Sequence, residues 1–140
     1  MAKAAVMLGC PATNCIVILK SSQGKFVEAL DDGTVTATKD SINDRAKWHI
    51  SFLNDNVINL NNKRSGKYIR ALESGKIDHL NQHWEDGFYW ERFKLKHREG
   101  DIYALKTHFS KYVSHGSNGE LNGNATEVGD YEMFTINVCE

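Results

Sequence analysis

Three short strings of one kind recur along the chain, and this internal repeat restricts the fold more than any other feature. Each string has a small residue, a lysine, an aromatic residue and a β-branched residue, in the order Gly24-Lys25-Phe26-Val27, Gly66-Lys67-Tyr68-Ile69 and Ser110-Lys111-Tyr112-Val113. The strings begin 42 and 44 residues apart. A chain made of copies of one unit buries its apolar residues by packing the copies together, so the fold must accommodate three equivalent parts.

The sequence around each string is repeated as well. A short apolar run precedes it, a glycine turn follows it, and a second strand pattern carries Val35, Ile77 or Leu121. Each unit ends in an alternating segment that begins at Trp48, Phe93 or Phe134. Alternation with period two, together with β-branched and aromatic residues, predicts strands. We therefore predict four short strands per unit, and at most one helical turn, between residues 40 and 47.

These units occupy about residues 15–56, 57–100 and 101–140, after an N-terminal extension of residues 1–14. One unit cannot bury its apolar face alone, and closing three units into a ring also removes exposed strand edges. We therefore predict that residues 15–140 form a single all-β domain. Its expected architecture is a β-trefoil, a small barrel capped by hairpins with pseudo-threefold symmetry.

Length and charge exclude several classes of protein. The chain has 140 residues, 41% of them hydrophobic, which is typical of a folded globular protein. It has 17 basic and 18 acidic residues, whereas a protein devoted to DNA or RNA is usually clearly basic. No stretch approaches the roughly 18 apolar residues of a membrane-spanning helix. We expect neither a nucleic-acid partner nor a membrane span.

The chain has three cysteines, Cys10, Cys15 and Cys139. An odd number with two members close together is no disulfide framework and fits a reducing compartment, so we predict a cytoplasmic location. A disulfide from Cys10 or Cys15 to Cys139 is geometrically possible if the two termini meet. The C-x4-C spacing without a nearby histidine is a poor zinc signature, and we expect no metal or cofactor.

The third unit resembles the fascin-like β-trefoil family, which includes the hisactophilin-like actin-binding proteins. Residues 104–114, with the sequence ALKTHFSKYVS, are similar to the family's typical string A-L-K-T-H-x-G-K-Y-x-S. The resemblance covers roughly residues 15–139 and is weakest in the second unit. It implies a binding protein without enzymatic activity whose partner is the actin filament. Cross-linking of filaments would require two sites or a homodimer. The resemblance also implies that Phe26, Tyr68 and Tyr112 fill the bottom of the barrel.

Positive charge is concentrated in the second unit. Residues 57–100 have nine Lys or Arg and six acidic residues, whereas residues 101–140 have two lysines and six acidic residues. One hairpin loop and its strand carry Lys63, Arg64, Lys67 and Arg70. This group is a candidate patch for an acidic partner such as actin or anionic lipid. The alternative is an ordinary solvated hairpin tip.

Trp84 lies in an irregular loop of the second unit. A loop tryptophan can stack on a sugar ring or anchor a protein partner, or it can fold back over the barrel. Since a threefold repeat also suits multivalent binding, a carbohydrate-binding lectin is the alternative to actin binding. Trp48 and Trp90 fall at core or near-core positions of the repeat, and we expect both to be structural.

Catalytic motifs are missing from the sequence. It has no nucleophile elbow, phosphate-binding loop or zinc-protease helix. The paired acids Asp31-Asp32 and Glu85-Asp86 both precede a glycine, and turn chemistry explains them. We do not expect an enzyme.

Overall fold

The computed structural model describes residues 3–81 and 89–139. These residues form a short helix, α1 (Lys3–Leu8), and the strands β1 (Asn14–Ser21), β2 (Phe26–Ala29), β3 (Val35–Lys39), β4 (Trp48–Phe52), β5 (Val57–Asn62), β6 (Tyr68–Ala71), β7 (Ile77–Asn81), β8 (Phe93–Glu99), β9 (Ile102–Lys106), β10 (Tyr112–His115), β11 (Leu121–Ala125) and β12 (Phe134–Val138). One 3-10 turn, at Asp44–Ala46, lies within the segment predicted to be helical, and another, at Asp130–Glu132, precedes β12.

Six strands close into a barrel. The order of strands around the barrel is β12, β1, β4, β5, β8 and β9, each antiparallel to the next, and β9 pairs with β12 to close it. The other strands form three hairpins, β2–β3, β6–β7 and β10–β11, attached to β1, β5 and β9. Two barrel strands and one hairpin make one unit, so the predicted all-β, β-trefoil architecture is confirmed.

The core is built from equivalent residues of the three units. One equivalent position is filled by the large aromatic residues Trp48, Phe93 and Phe134, which are at most 1% exposed. Around them pack three further buried sets: Leu19, Leu60 and Leu105; Val27, Ile69 and Val113; Val35, Ile77 and Leu121. The Trp48 indole N–H donates to the Val27 carbonyl oxygen at 3.0 Å, so this buried polar group is satisfied.

The aromatic residues of the repeated strings lie elsewhere than predicted. Phe26, Tyr68 and Tyr112 are only half-buried, and the Lys20 and Lys106 ammonium groups lie 5.6 Å and 5.9 Å from the rings of Phe26 and Tyr112. Successive side chains of a strand point to opposite faces. Since the β-branched residue of each string points inward, the aromatic residue before it points outward. The prediction that these three aromatic residues fill the barrel was wrong.

Backbone hydrogen bonds join each hairpin to the next. The N–H groups of Ala37, His79 and Gly123 donate to the carbonyl oxygens of Gly119, Gly33 and Gly75, at 2.7, 3.0 and 2.7 Å. Each accepting glycine has a positive φ, between 84° and 93°. The three bonds form a closed ring in which every unit holds one neighbour and is held by the other. We call it the hairpin ring.

The N-terminal segment contains two features that were not predicted. Helix α1 buries Ala5 completely and is held by the Ala4 N–H, which donates to the Asp55 carbonyl oxygen at 3.3 Å. A disulfide joins Cys10 to Cys15, with both cysteines buried. Cys139 is exposed and lies outside this bond, so neither of the bridges to Cys139 that the sequence left open is formed. Because disulfides persist mainly in oxidising compartments, the cysteines no longer support a cytoplasmic location.

None of the helices among the described residues has the length and apolar character needed to cross a membrane.

We expect Gly119→Ala to destabilise the fold by more than about 2 kcal/mol. The new residue must adopt a left-handed backbone conformation, which costs about 1–2 kcal/mol, and its Cβ would lie 2.6 Å from the Ala37 carbonyl oxygen inside the hairpin ring. Gly24→Ala is the matched control, because Gly24 has a φ of 78° and open space around it. Urea unfolding measures both variants, and equal losses would show that the ring contact is not constraining.

We expect replacement of Cys10 and Cys15 by serine to cost about 2 kcal/mol of unfolding free energy, because the disulfide restricts a short loop in the unfolded chain. Cys139→Ser is the control and should change stability by less than about 0.5 kcal/mol, as is usual for exposed positions. Thermal unfolding with and without a reductant measures the effect. A reductant that leaves the unfolding temperature of the parent protein unchanged would contradict it.

Candidate functional site

Grooves open where the first turn of one unit lies beside the end of the preceding unit around the barrel. Groove A lies between residues 20–24 of the first unit and residues 130–135 of the third, with a volume of about 650 Å³. Groove B lies between residues 106–110 of the third unit and residues 89–94 of the second, with a volume of about 320 Å³. The two occupy equivalent places in adjacent units, and both have the size of typical ligand sites.

At the third equivalent place the turn is longer by one residue. The side chains of Ser21, Asn62 and Thr107 begin the three turns and accept hydrogen bonds from backbone N–H groups within them. Ser21 and Thr107 bond to a partner four residues on, whereas Asn62 bonds to the backbone of Lys67, five residues on. The longer turn lies against the first unit, and the Lys63 N–H donates to the Lys47 carbonyl oxygen at 3.0 Å.

This longer turn carries part of the predicted basic patch. Lys63 and Arg64 are exposed, and Lys67 is half-buried. One nitrogen of Arg64 lies 2.7 Å from a carboxylate oxygen of Asp31, whose other oxygen lies 2.9 Å from Arg45. The Asp31 carboxylate therefore offsets part of the positive charge on which the patch was predicted.

Arg70 belongs to the interior of its unit rather than to the exposed patch. Its guanidinium donates two hydrogen bonds, at 2.6 and 3.2 Å, to the carboxylate of Asp78, which is buried. The same guanidinium lies 5.7 Å from the centre of the Trp90 ring. Arg70 thus joins β6 to β7. Trp48 is completely buried in the core, as predicted. Trp90 is half-buried beside Arg70, and its structural role stays a prediction. Trp84 lies outside the described residues.

Groove A has an exposed aromatic residue held by a buried histidine. Tyr131 lines the groove and is 48% exposed, and its ring centre lies 5.0 Å from that of His115. His115 is 1% exposed, with Nε2 2.9 Å from the Ser22 hydroxyl and Nδ1 3.3 Å from the Gly116 carbonyl oxygen. Contacts on both ring nitrogens fix the imidazole, so the tyrosine rests on a rigid support.

The turn that carries Tyr131 is fixed as well. It is a 3-10 turn at Asp130–Glu132. Glu132 accepts a hydrogen bond from the Ser114 hydroxyl at 2.6 Å and another from the Gly129 N–H at 2.7 Å. One carboxylate thus ties the turn to β10, and Tyr131 is positioned before any ligand arrives.

Polar side chains of both charge signs line the rest of groove A: Lys20, Ser22, Gln23, Asp130 and Thr135. Lys20 and Thr135 lie directly opposite each other on β1 and β12. Within residues 3–81 and 89–139, the side chains of Gln23 and Asp130 make no hydrogen bond to the protein, and both can bind a ligand. Nothing in the sequence pointed to this site, because its two walls come from opposite ends of the chain.

Groove B has a different character. The rings of Tyr89 and His108 stack with their centres 5.2 Å apart, and the Arg92 guanidinium lies 5.5 Å from the Tyr89 ring. Lys94 and Lys106 complete the lining from two neighbouring strands. Cations and aromatic rings therefore dominate this groove.

In the part of the chain that the structure describes, no group of three or more His, Cys, Asp or Glu side chains lies close enough together to hold a metal ion.

We expect the pKa of Asp31 to lie below 3.8, because the hydrogen bonds from Arg45 and Arg64 stabilise its carboxylate. Because the pKa of Asp31 is lowered, its carboxylate is charged and both ion pairs are present at every pH above the ordinary pKa of an aspartate. The ion pairs are lost only as the pH falls through the lowered pKa of Asp31. An NMR titration should show the pKa of Asp31 rising in Arg45→Ala and in Arg64→Ala. The pKa of Asp32, lowered chiefly by the Thr34 hydroxyl, should stay where it is. An Asp31 midpoint unaffected by both changes would contradict the pairing.

Comparison with known proteins supports the fold. A designed threefold-symmetric protein, ThreeFoil, superimposes with a TM-score of 0.77 over 89% of this chain and 99% of its own, at 17% sequence identity. No family model and no curated protein matches the sequence. At this level of identity the likeness establishes the β-trefoil fold, and the resemblance to fascin-like proteins stays a prediction.

Proposed function

We propose that this β-trefoil is a non-enzymatic binding module that holds a carbohydrate in groove A. The observation that carries the proposal is Tyr131, an exposed aromatic side chain supported by the buried His115 at the wall of a groove of about 650 Å³. Aromatic rings offer an apolar face on which the C–H face of a sugar can stack.

The polar lining of groove A suits hydroxyl groups, which both donate and accept hydrogen bonds. Asp130 offers acceptors, Lys20 offers donors, and Gln23 offers both. Because opposite charges are present, the groove favours a neutral polar ligand over an ion. A few polar groups beside an aromatic wall are typical of small-molecule sites.

The rigidity of the site also supports binding. Tyr131 is held by His115 from one side and by the Glu132 hydrogen bonds along its own turn. A side chain that is already ordered loses little entropy when a ligand binds, so more of the contact energy appears as affinity.

The second candidate is binding to actin filaments, which the fascin-like sequence pattern favours. Its structural support is the exposed turn with Lys63 and Arg64, next to the half-buried Lys67. The ion pairs of Arg64 and Arg70 with aspartates weaken the positive potential on which it depends. Cross-linking of filaments by this protein would in addition need a homodimer or a second actin site.

The carbohydrate proposal is tested on a glycan array, followed by calorimetric titration of the best glycan. We expect Tyr131→Ala to weaken binding at least about tenfold, which corresponds to about 1.4 kcal/mol. Tyr131→Phe should retain most of the affinity because the ring is kept. Tyr89→Ala removes an equally exposed tyrosine from groove B and should have no effect. A blank array, or equal losses in Tyr131→Ala and Tyr89→Ala, would overturn the proposal.

Co-sedimentation with filamentous actin at low and physiological salt tests the second candidate. If actin is the partner, the protein should pellet in a salt-sensitive way, and Lys63→Glu with Arg64→Glu should abolish pelleting without changing the array. Pelleting together with a blank array would replace the carbohydrate proposal by the actin one.

A further inference from the structure

The outer face of β8 carries lysines that face another lysine on β9. Phe93 and Leu95 point into the core, and Lys94 and Lys96 alternate with them on the outside. Lys106 on β9 lies directly opposite Lys94 in the ladder. We call Lys94, Lys96 and Lys106 the β8 strip.

No ion pair within residues 3–81 and 89–139 neutralises the β8 strip. Each ion pair found among the described residues involves another basic residue, namely Lys25, Arg45, Arg64 or Arg70. Like charges directly opposite each other destabilise a sheet. Lys94 and Lys106 are such a pair, so an anion placed between them would relieve a repulsion that the folded protein otherwise retains.

The fold itself does not require this pair. In the ladder of β4 with β5, the equivalent residues are His49 and Asn61, and in the ladder of β1 with β12 they are Lys20 and Thr135. The β1–β12 pair therefore contains one lysine, and the β4–β5 pair contains no permanently charged side chain. The double lysine is a property of the second and third units alone, which favours a role in binding.

The strip continues from groove B. Lys94 and Lys106 line the groove beside the stacked rings of Tyr89 and His108. Lys96 lies farther along β8, and exposed Arg98 follows it at a register shift of the ladder, where the regular alternation ends. Alternate residues of a strand are about 7 Å apart. A row of cations at this spacing suits a ligand with repeating negative charges better than a single small anion.

We propose that groove B and the β8 strip bind an acidic polysaccharide, a sugar chain that carries sulfate or carboxylate groups at regular intervals. The lysines contact the acidic groups, and the Tyr89–His108 pair offers a flat face to a sugar ring at one end. The net charge of −1 argues against nucleic acid, and the Cys10–Cys15 disulfide fits compartments in which acidic polysaccharides rather than nucleic acids are the abundant polyanions.

This site is separate from groove A and takes a charged polymer instead of a neutral sugar, so it goes beyond the proposed function. The two are distinguished by their variants. Tyr131→Ala should leave polyanion binding unchanged, and charge reversal on the β8 strip should leave binding in groove A unchanged.

The test is chromatography of the whole chain on immobilised heparin, followed by titration with heparin, a polyuronate and a single-stranded DNA oligonucleotide. We expect retention that salt reverses, because exposed charges are screened by salt. Lys94→Glu with Lys106→Glu should weaken heparin binding at least about tenfold. Lys94→Arg with Lys106→Arg should retain it.

Lys63→Glu with Lys67→Glu is the matched control, since it changes the net charge equally on another face of the second unit. Thermal unfolding checks every variant, and glutamine replaces glutamate at Lys94 and Lys106 if the charge-reversed protein does not fold. No retention of the parent protein would overturn the proposal, and so would equal losses in the strip variant and the control. Tighter binding to the oligonucleotide than to heparin would overturn the choice of a polysaccharide.

Discussion

The hairpin ring is the interaction on which the other features of this structure depend. Each of its three hydrogen bonds joins two different units, so no unit can shift without breaking contacts to both neighbours. The accepting residues are glycines with positive φ, and at Gly119 a Cβ would lie 2.6 Å from the Ala37 carbonyl oxygen. The boundaries between units, where the grooves lie, are therefore held in a fixed geometry by the backbone. Side chains in those boundaries can then vary without loss of the fold.

The three boundaries have in fact diverged. One has Tyr131 between polar groups of both signs, one has two facing lysines, and the third is occupied by the longer turn that contains Lys63. The core shows the opposite behaviour, since equivalent inward positions keep leucine, a β-branched residue or an aromatic residue in each unit. A buried position is constrained by volume, whereas a position on the outer face of the barrel meets solvent and is free to acquire chemistry.

The sequence predicted the fold well because the repeat, the period-two alternation and the glycine turns are all local signals. It did not predict which aromatic residues are buried, because a string such as Lys25-Phe26-Val27 does not show which of its faces points inward. The Cys10–Cys15 bond and the six-residue α1 were missed since neither has a periodic pattern. Counting charges placed Arg70 in a surface patch, but its partner Asp78 is recognisable only from the pairing of β6 with β7. Groove A depends on contacts such as Ser22 with His115, 93 residues apart.

That separation has a kinetic and topological consequence. The ladder between β1 and β12, from Val17 with Val138 to Ser21 with Phe134, joins the first strand of the barrel to the last. Groove A straddles this seam, so during synthesis it is the part of the molecule that is completed latest, after the loop with the greatest sequence separation has closed. A ligand in groove A would contact residues on both sides of the seam and so hold β1 and β12 together. Its binding would slow opening of the barrel between β1 and β12, two strands that no short connection of the chain joins.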